Sequence, residues 1–141
     1  MRISKKGLYA LEALTVLAKN YPQRATKIHQ IALSESIPEK FLEAILLDLK
    51  TARLTDSLRG ARGGYALRHD PSTVFLGDVI RTIDGPLAPM GDAEGLRRLM
   101  RQDKKHSALY RVLLDVRDSA AAILDHTSLA DLAGRPGRGR R

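Results

Sequence analysis

The chain has 141 residues, the length of one ordinary domain. Apolar residues make up 43% and charged residues 28%, so a core can form, and with 4% aromatics and no Trp it must be built from Leu, Ile, Val and Ala. The absence of Cys excludes disulfides, thiol catalysis, thiolate zinc sites and cysteine-ligated iron–sulphur clusters, and no apolar run approaches the ~18 residues of a membrane span.

Met1-Arg-Ile-Ser-Lys-Lys is not followed by a signal-type apolar block, so a cytoplasmic protein without membrane attachment is expected. Residues 5–21 are predicted as an amphipathic helix. Leu8, Leu11, Leu14, Leu17, Ala18 and Tyr21 recur at three- and four-residue steps, Ser4 caps it and Pro22 ends it. Thr26 is placed to cap a short second helix with Ile28, Ile31 and Ala32 on one side, running out at Ser34-Glu35-Ser36. Pro38 suits the first turn of a third helix, where its missing N–H costs nothing.

That third helix, about 38–52, has two faces. At 100° per residue, Phe41, Leu42, Ile45, Leu46 and Leu49 gather on one side as core. Lys40, Glu43, Ala44 and Leu47 gather opposite them as a surface ridge. Two short strands follow, Leu54–Leu58 and Tyr65–Leu67. Between them lies Arg59-Gly60-Ala61-Arg62-Gly63-Gly64, whose glycines permit a tight hairpin tip.

After a break at Asp70-Pro71-Ser72, Leu76–Asp84 reads as a helix with Val79, Ile80 and Ile83 inward, stopped by Gly85-Pro86. Residues 86–105 read as loop, with one helical stretch around Leu96–Arg101. From His106 to His126, Leu109, Leu113, Val116, Ala120 and Ile123 step 4, 3, 4, 3. This is the spacing of an a/d seam on a helix ~31 Å long. The stripe either meets a second copy or packs within the chain on Val79, Ile80 and Ile83. Ser128-Leu-Ala-Asp131 forms a last turn with a capping box. Residues 134–141, rich in Gly and Arg, read as a basic disordered tail.

The net charge is +8. Residues 1–70 hold 12 Lys/Arg against 7 Asp/Glu, residues 71–133 hold 8 against 9, and the tail holds 4 Arg and no acid. A basic first half suggests a unit that binds a polyanion. Helix, short helix, turn, amphipathic helix and glycine-tipped hairpin is the order of a winged helix-turn-helix, which places its second turn-linked helix in the major groove. Lys40 suits guanine or phosphate, Glu43 can accept from cytosine N4, and Ala44 allows close approach or contact with a thymine methyl. Arg59 and Arg62 stand on a loop free of bulky neighbours, able to reach phosphates or a narrow minor groove. The alternative reading of each is a solvated helix face and a common Arg-Gly loop. No nucleophile–base pair, phosphate-cradling loop or zinc spacing is present, so no enzyme is expected.

Five segments stand out together: the opening Met1–Leu14, Phe41-Leu42-Glu43, Leu58-Arg59-Gly60-Ala61-Arg62-Gly63-Gly64-Tyr65-Ala66-Leu67, Asp78-Val79-Ile80 with Gly85-Pro86, and Thr127–Leu132. In this order they resemble the Rrf2 family of bacterial transcription regulators. The resemblance covers nearly all of 1–133. It implies a winged helix-turn-helix over 1–70, and a linker helix, loop and long dimerisation helix over 71–133. It implies a homodimer reading palindromic double-stranded DNA, with Lys40 and Glu43 on recognition-helix contact positions, Ala44 in place of a polar contact residue found in some members, and Arg59 on the wing. It also exposes a departure. Members that hold an iron–sulphur cluster carry three cysteines in the loop matching 86–105, and this chain offers only Asp92, Glu94, Asp103 and His106 there. The expected protein is therefore a regulator, a repressor by expectation, without cluster, cofactor or metal. Sensing falls to a small-molecule or protein effector acting beyond residue 71. The rival is a winged helix bound to structured RNA with the Arg-Gly tail as clamp. The mixed-charge ridge of Lys40 and Glu43 suits duplex base edges better.

Overall fold

The computed structural model describes residues 2–87 and 91–134. The helices are α1 (Lys5–Asn20), α2 (Ile28–Glu35), α3 (Glu39–Thr51), α4 (Leu76–Asp84), α5 (Ala93–Gln102), α6 (Ser107–Leu124) and α7 (Leu129–Leu132). Between α3 and α4 an antiparallel hairpin pairs β1 (Thr55–Leu58) with β2 (Gly64–Leu67), in register from Thr55 opposite Leu67 to Leu58 opposite Gly64. The protein is mostly helical with a small β wing, as its periodicities indicate. Among the described residues no helix is long and apolar enough to cross a membrane.

α1 begins where the sequence says. Ser4 accepts from the Gly7 N–H, and the Ser4 N–H and hydroxyl both donate to Asp84, tying α1 to the end of α4. Its inward face keeps the expected Leu14, Leu17 and Ala18, with Leu11 and Tyr21 half-buried, but adds two alanines and leaves Leu8 out. Ala10, Ala13, Leu14, Leu17 and Ala18 are buried, whereas Leu8 is 50% exposed. Alanines let α3 and α4 approach α1 closely, so the small residues face in and Leu8 is turned out. α3 packs Leu42, Ile45, Leu46 and Leu49 into the same core. Phe41, expected among them, is 42% exposed and meets Tyr9 edge-on at 5.6 Å between ring centroids. Pro38 stands one position earlier than expected, as the cap before Glu39.

Thr26 does not cap α2; Lys27 occupies that position. Thr26 is buried and exchanges two backbone hydrogen bonds of 2.8 Å with Tyr65, while its hydroxyl accepts from Asn20 at 2.7 Å. It acts as a one-residue third strand on the hairpin. A cap and an edge bridge use the same residue types, and only the distant partner distinguishes them. In β1 the expected alternation also gives way: Thr55 is buried and Leu58 is exposed at the hairpin's outer end.

The segment read as mostly loop holds a full helix, α5. Asp92 caps it by accepting from the Gly95 N–H at 2.8 Å, Leu96 is buried, and the helix packs on α6. A 3₁₀ turn, Lys104–His106, then leads into α6, which starts one residue later and ends two residues earlier than the periodicity suggests. α6 buries Leu114 and Ala121, and Ala121 joins Ile80 and Leu87 in a second small core. The seam faces away from these. Leu109 is 55% exposed, Val116 47% and Ile123 68%, with Val112 beside them, while Leu113 and Ala120 are half-buried. The stripe therefore does not pack on Val79, Ile80 and Ile83.

The root of α6 is bound firmly to the rest of the chain. Arg81 of α4 donates two hydrogen bonds to Asp125, at 2.7 and 2.9 Å. Phe75 and Ser128 form an isolated antiparallel bridge, and Leu129 of α7 is buried in the main core. Ser128 and Asp131 form the expected capping box. Of the expected tail only Gly134 is described; residues 135–141 lie outside the described residues.

Candidate nucleic-acid interface

The ridge on α3 is fully presented. Lys40, Glu43, Ala44 and Leu47 are all exposed, opposite four buried residues of the same helix. Two neighbours on α1 fix the helix that carries it. Lys6 pairs with Asp48 at 2.5 Å, and Tyr9 supports Phe41. The C-terminal end of α3 holds the wing: Lys50 Nζ donates to Ser57 Oγ at 2.7 Å.

Arg59 and Arg62 are exposed on the loop between β1 and β2. Gly60 there has φ +99°, open to glycine at no cost, and Gly63 donates its N–H to the Gly60 carbonyl at 2.9 Å. At the other end of the loop, Gly64 has φ +137°, and a Cβ on it would run into the Thr26 carbonyl oxygen. That close approach lets Thr26 pair with Tyr65, so the wing is anchored to the start of α2 as well as to the end of α3.

The structure thus places Lys40, Glu43, Ala44, Arg59 and Arg62 on one winged unit, each exposed and none of them in a salt bridge among the described residues. Sequence reasoning missed further cations. Arg24 and Lys27, together with Arg62, line an open groove of about 870 Å³ between α2 and the wing. It also missed Lys50 and Gly64, which aim the wing without standing in the interface. The paired glycines at 63 and 64 were the available signal for Gly64. For Lys50 there was none, because its partner lies across a turn in another element.

The carboxylates and the histidine between 92 and 106 have partners of their own. Asp92 caps α5, and Glu94 pairs with Arg101 at 3.0 Å. Asp103 accepts from the His106 backbone N–H and from Tyr110 and meets the His106 ring at 2.8 Å. The hydrogen bond with His106 holds the Asp103 carboxyl below the usual carboxylate range. Among the described residues no three His, Asp or Glu gather as a metal site.

Comparison with known proteins gives a consistent picture. A model of the Rrf2 family, described as iron-dependent transcriptional regulator, matches residues 3–135. The HTH-type transcriptional regulator CymR of Bacillus subtilis is 35% identical over 133 residues, covering 94% of this chain and 90% of its own. The solved structure of that CymR, described as the global cysteine regulator, superposes with a TM-score of 0.77 at 34% identity, covering 95% of this chain and 97% of its own. The structure of IscR from T. potens superposes equally well, with a TM-score of 0.77 at 28% identity, over 95% of this chain and 87% of its own. The iron in the family's description finds no matching donor set among the described residues. The chain has no Cys, and its loop carboxylates are spread over caps and ion pairs.

Proposed function

The chain belongs to the Rrf2 family of transcriptional regulators, and from that premise we propose that two copies pair along the α6 seam and read a palindromic operator in duplex DNA as a repressor. Its relatives are helix-turn-helix transcription regulators, not enzymes, and DNA binding follows from that membership.

The observation that carries the finer reading is the pairing of an exposed mixed-charge ridge with a two-arginine wing on one rigid unit. Lys40, Glu43 and Ala44 would meet base edges in the major groove, while Arg59 and Arg62 would meet phosphates or the minor groove. A single winged unit spans one half-site. Two units related by a two-fold axis present two ridges to one face of the duplex, with half-sites separated by whole helical turns. The exposed apolar face of α6 supports the pairing, because Leu109, Val112, Val116 and Ile123 together form a patch that soluble monomers rarely leave bare.

Without a donor set for iron, regulation in this reading falls to a small-molecule or protein effector acting on residues 71–133. Selection of random duplexes by the purified protein tests the whole proposal. Recovery of an inverted repeat is expected. Recovery of a single unrepeated site, or stronger retention of structured RNA than of duplex DNA, overturns it.

A further inference from the structure

Leu47 is the fourth residue of the α3 ridge and has no task in the function proposed above. It is 61% exposed, and it does not stand at the ridge's margin. Steps of about 100° per residue set it between Glu43 and Lys40, on the face turned away from the buried Leu42, Ile45, Leu46 and Leu49. The two residues of the next turn that could fold over it are both held elsewhere. Lys50 Nζ is drawn aside to Ser57 Oγ at 2.7 Å, and the Thr51 hydroxyl donates back to the Leu47 carbonyl at 2.9 Å.

Helical side chains lean toward the N-terminus of their own helix, so the Leu47 side chain lies over the turn that carries Glu43 and Ala44. The ridge is therefore divided along its length. Its N-terminal part offers a cation and an anion, Lys40 and Glu43. Its C-terminal part offers only carbon, Ala44 and Leu47.

Single exposed leucines are ordinary on a protein surface. This one belongs to a ridge that meets base edges, where it has neither donor nor acceptor to give. Set against the N7 and O6 of guanine, or the amino group of adenine or cytosine, it strips water from a polar group and returns nothing. Thymine alone presents carbon in the major groove, as its C5 methyl. We propose that Leu47 is a specificity-determining residue that selects a thymine in each half-site, packing on its methyl and penalising the other three bases. The inference rests on the major-groove placement of α3 proposed above. Four residues separate Glu43 from Leu47, about 6 Å along the helix axis, and base pairs stack at about 3.4 Å. The selected thymine therefore lies within about two base-pair steps of the base that Glu43 reads.

The test pairs a change in the protein with a change in the DNA. Each thymine of the operator recovered by selection is replaced in turn by deoxyuridine, which lacks only the C5 methyl. One position per half-site, inside that span, is expected to weaken wild-type binding by about threefold to fivefold, the effect of one lost methyl contact. Leu47→Ala is expected to bind the thymine and deoxyuridine duplexes alike. The variant keeps its fold, since Leu47 lies outside the core and Ala is a strong helix former, and circular dichroism checks this. An operator with no thymine in that span overturns the assignment. So does a wild type that no exchange weakens, or a Leu47→Ala protein that stays as sensitive as wild type at the same position. A protein that selects an operator but ignores its methyls overturns this inference alone, whereas one that retains no duplex overturns the function proposed above as well.

Discussion

Arg81 and Asp125, 44 residues apart, form a two-pronged ion pair that joins α4 to the root of α6, with hydrogen bonds of 2.7 and 2.9 Å. Gly77 lies under this pair, and a Cβ there would run into Asp125 Oδ1. The guanidinium holds the Asp125 carboxyl below its ordinary value of 3.8, chiefly through the hydrogen bonds.

Asp125→Asn should therefore lower stability at neutral pH, by about 1 kcal/mol or less because both side chains are partly exposed. A depressed folded-state carboxyl value means the contribution is fully present above the unfolded value near 3.8 and fades as pH falls through the lower folded value. Urea unfolding of wild type and variant should differ at pH 7 and converge at the acid end. Gly77→Ala should cost more, about 1–3 kcal/mol, by pushing the carboxylate off its partner.

Replacing Arg59 and Arg62 with Ala should weaken duplex binding and flatten its salt dependence, by roughly 0.9 in the log–log slope for each phosphate no longer neutralised. Fluorescence anisotropy across a salt series reads this directly, and an unchanged slope counts against the wing. Glu43→Ala should instead change which bases are selected more than the total affinity, since an acid near phosphates repels as well as selects.

Gly64→Ala combines a positive φ with a Cβ that would run into the Thr26 carbonyl. The wing should part from α2 at a cost of about 1–3 kcal/mol. Hydrogen exchange at the Thr26 and Tyr65 amides, both protected by 2.8 Å bonds in the wild type, should quicken selectively.

Val116→Glu should give a folded monomer. Val116 is 47% exposed in the single chain, so the change leaves the chain's own core intact while setting like charges near the proposed axis. Sedimentation at micromolar concentration should show one chain, and operator affinity should fall because one half-site supplies only part of the interface. A wild-type monomer under the same conditions would falsify the pairing.

The purified protein should be colourless, and its operator affinity should be the same from iron-replete and iron-starved cells. It has no thiolate, and Asp92, Glu94, Asp103 and His106 are engaged elsewhere. A visible band that follows iron supply and tracks DNA affinity would contradict this.

By itself, the sequence determined the parts whose signals are local. Helical periodicity marked α1, α3, α4 and α6 to within a residue or two, the Arg-Gly run marked the wing, and Ser4 and the Ser128–Asp131 box marked helix starts. The α3 ridge was legible for the same reason, since one helix alone decides which of its faces are opposite. The tertiary structure decided everything that depends on a distant partner. It turned Leu8 and Phe41 outward because α1 meets its neighbours through alanines and Tyr9. It made Thr26 a bridge to Tyr65 instead of a cap and joined Arg81 to Asp125. Periodicity and capping act over three or four residues and can be read from spacing. Which face of a helix is covered, and which charge meets which, is set by packing between elements that the order of residues does not place.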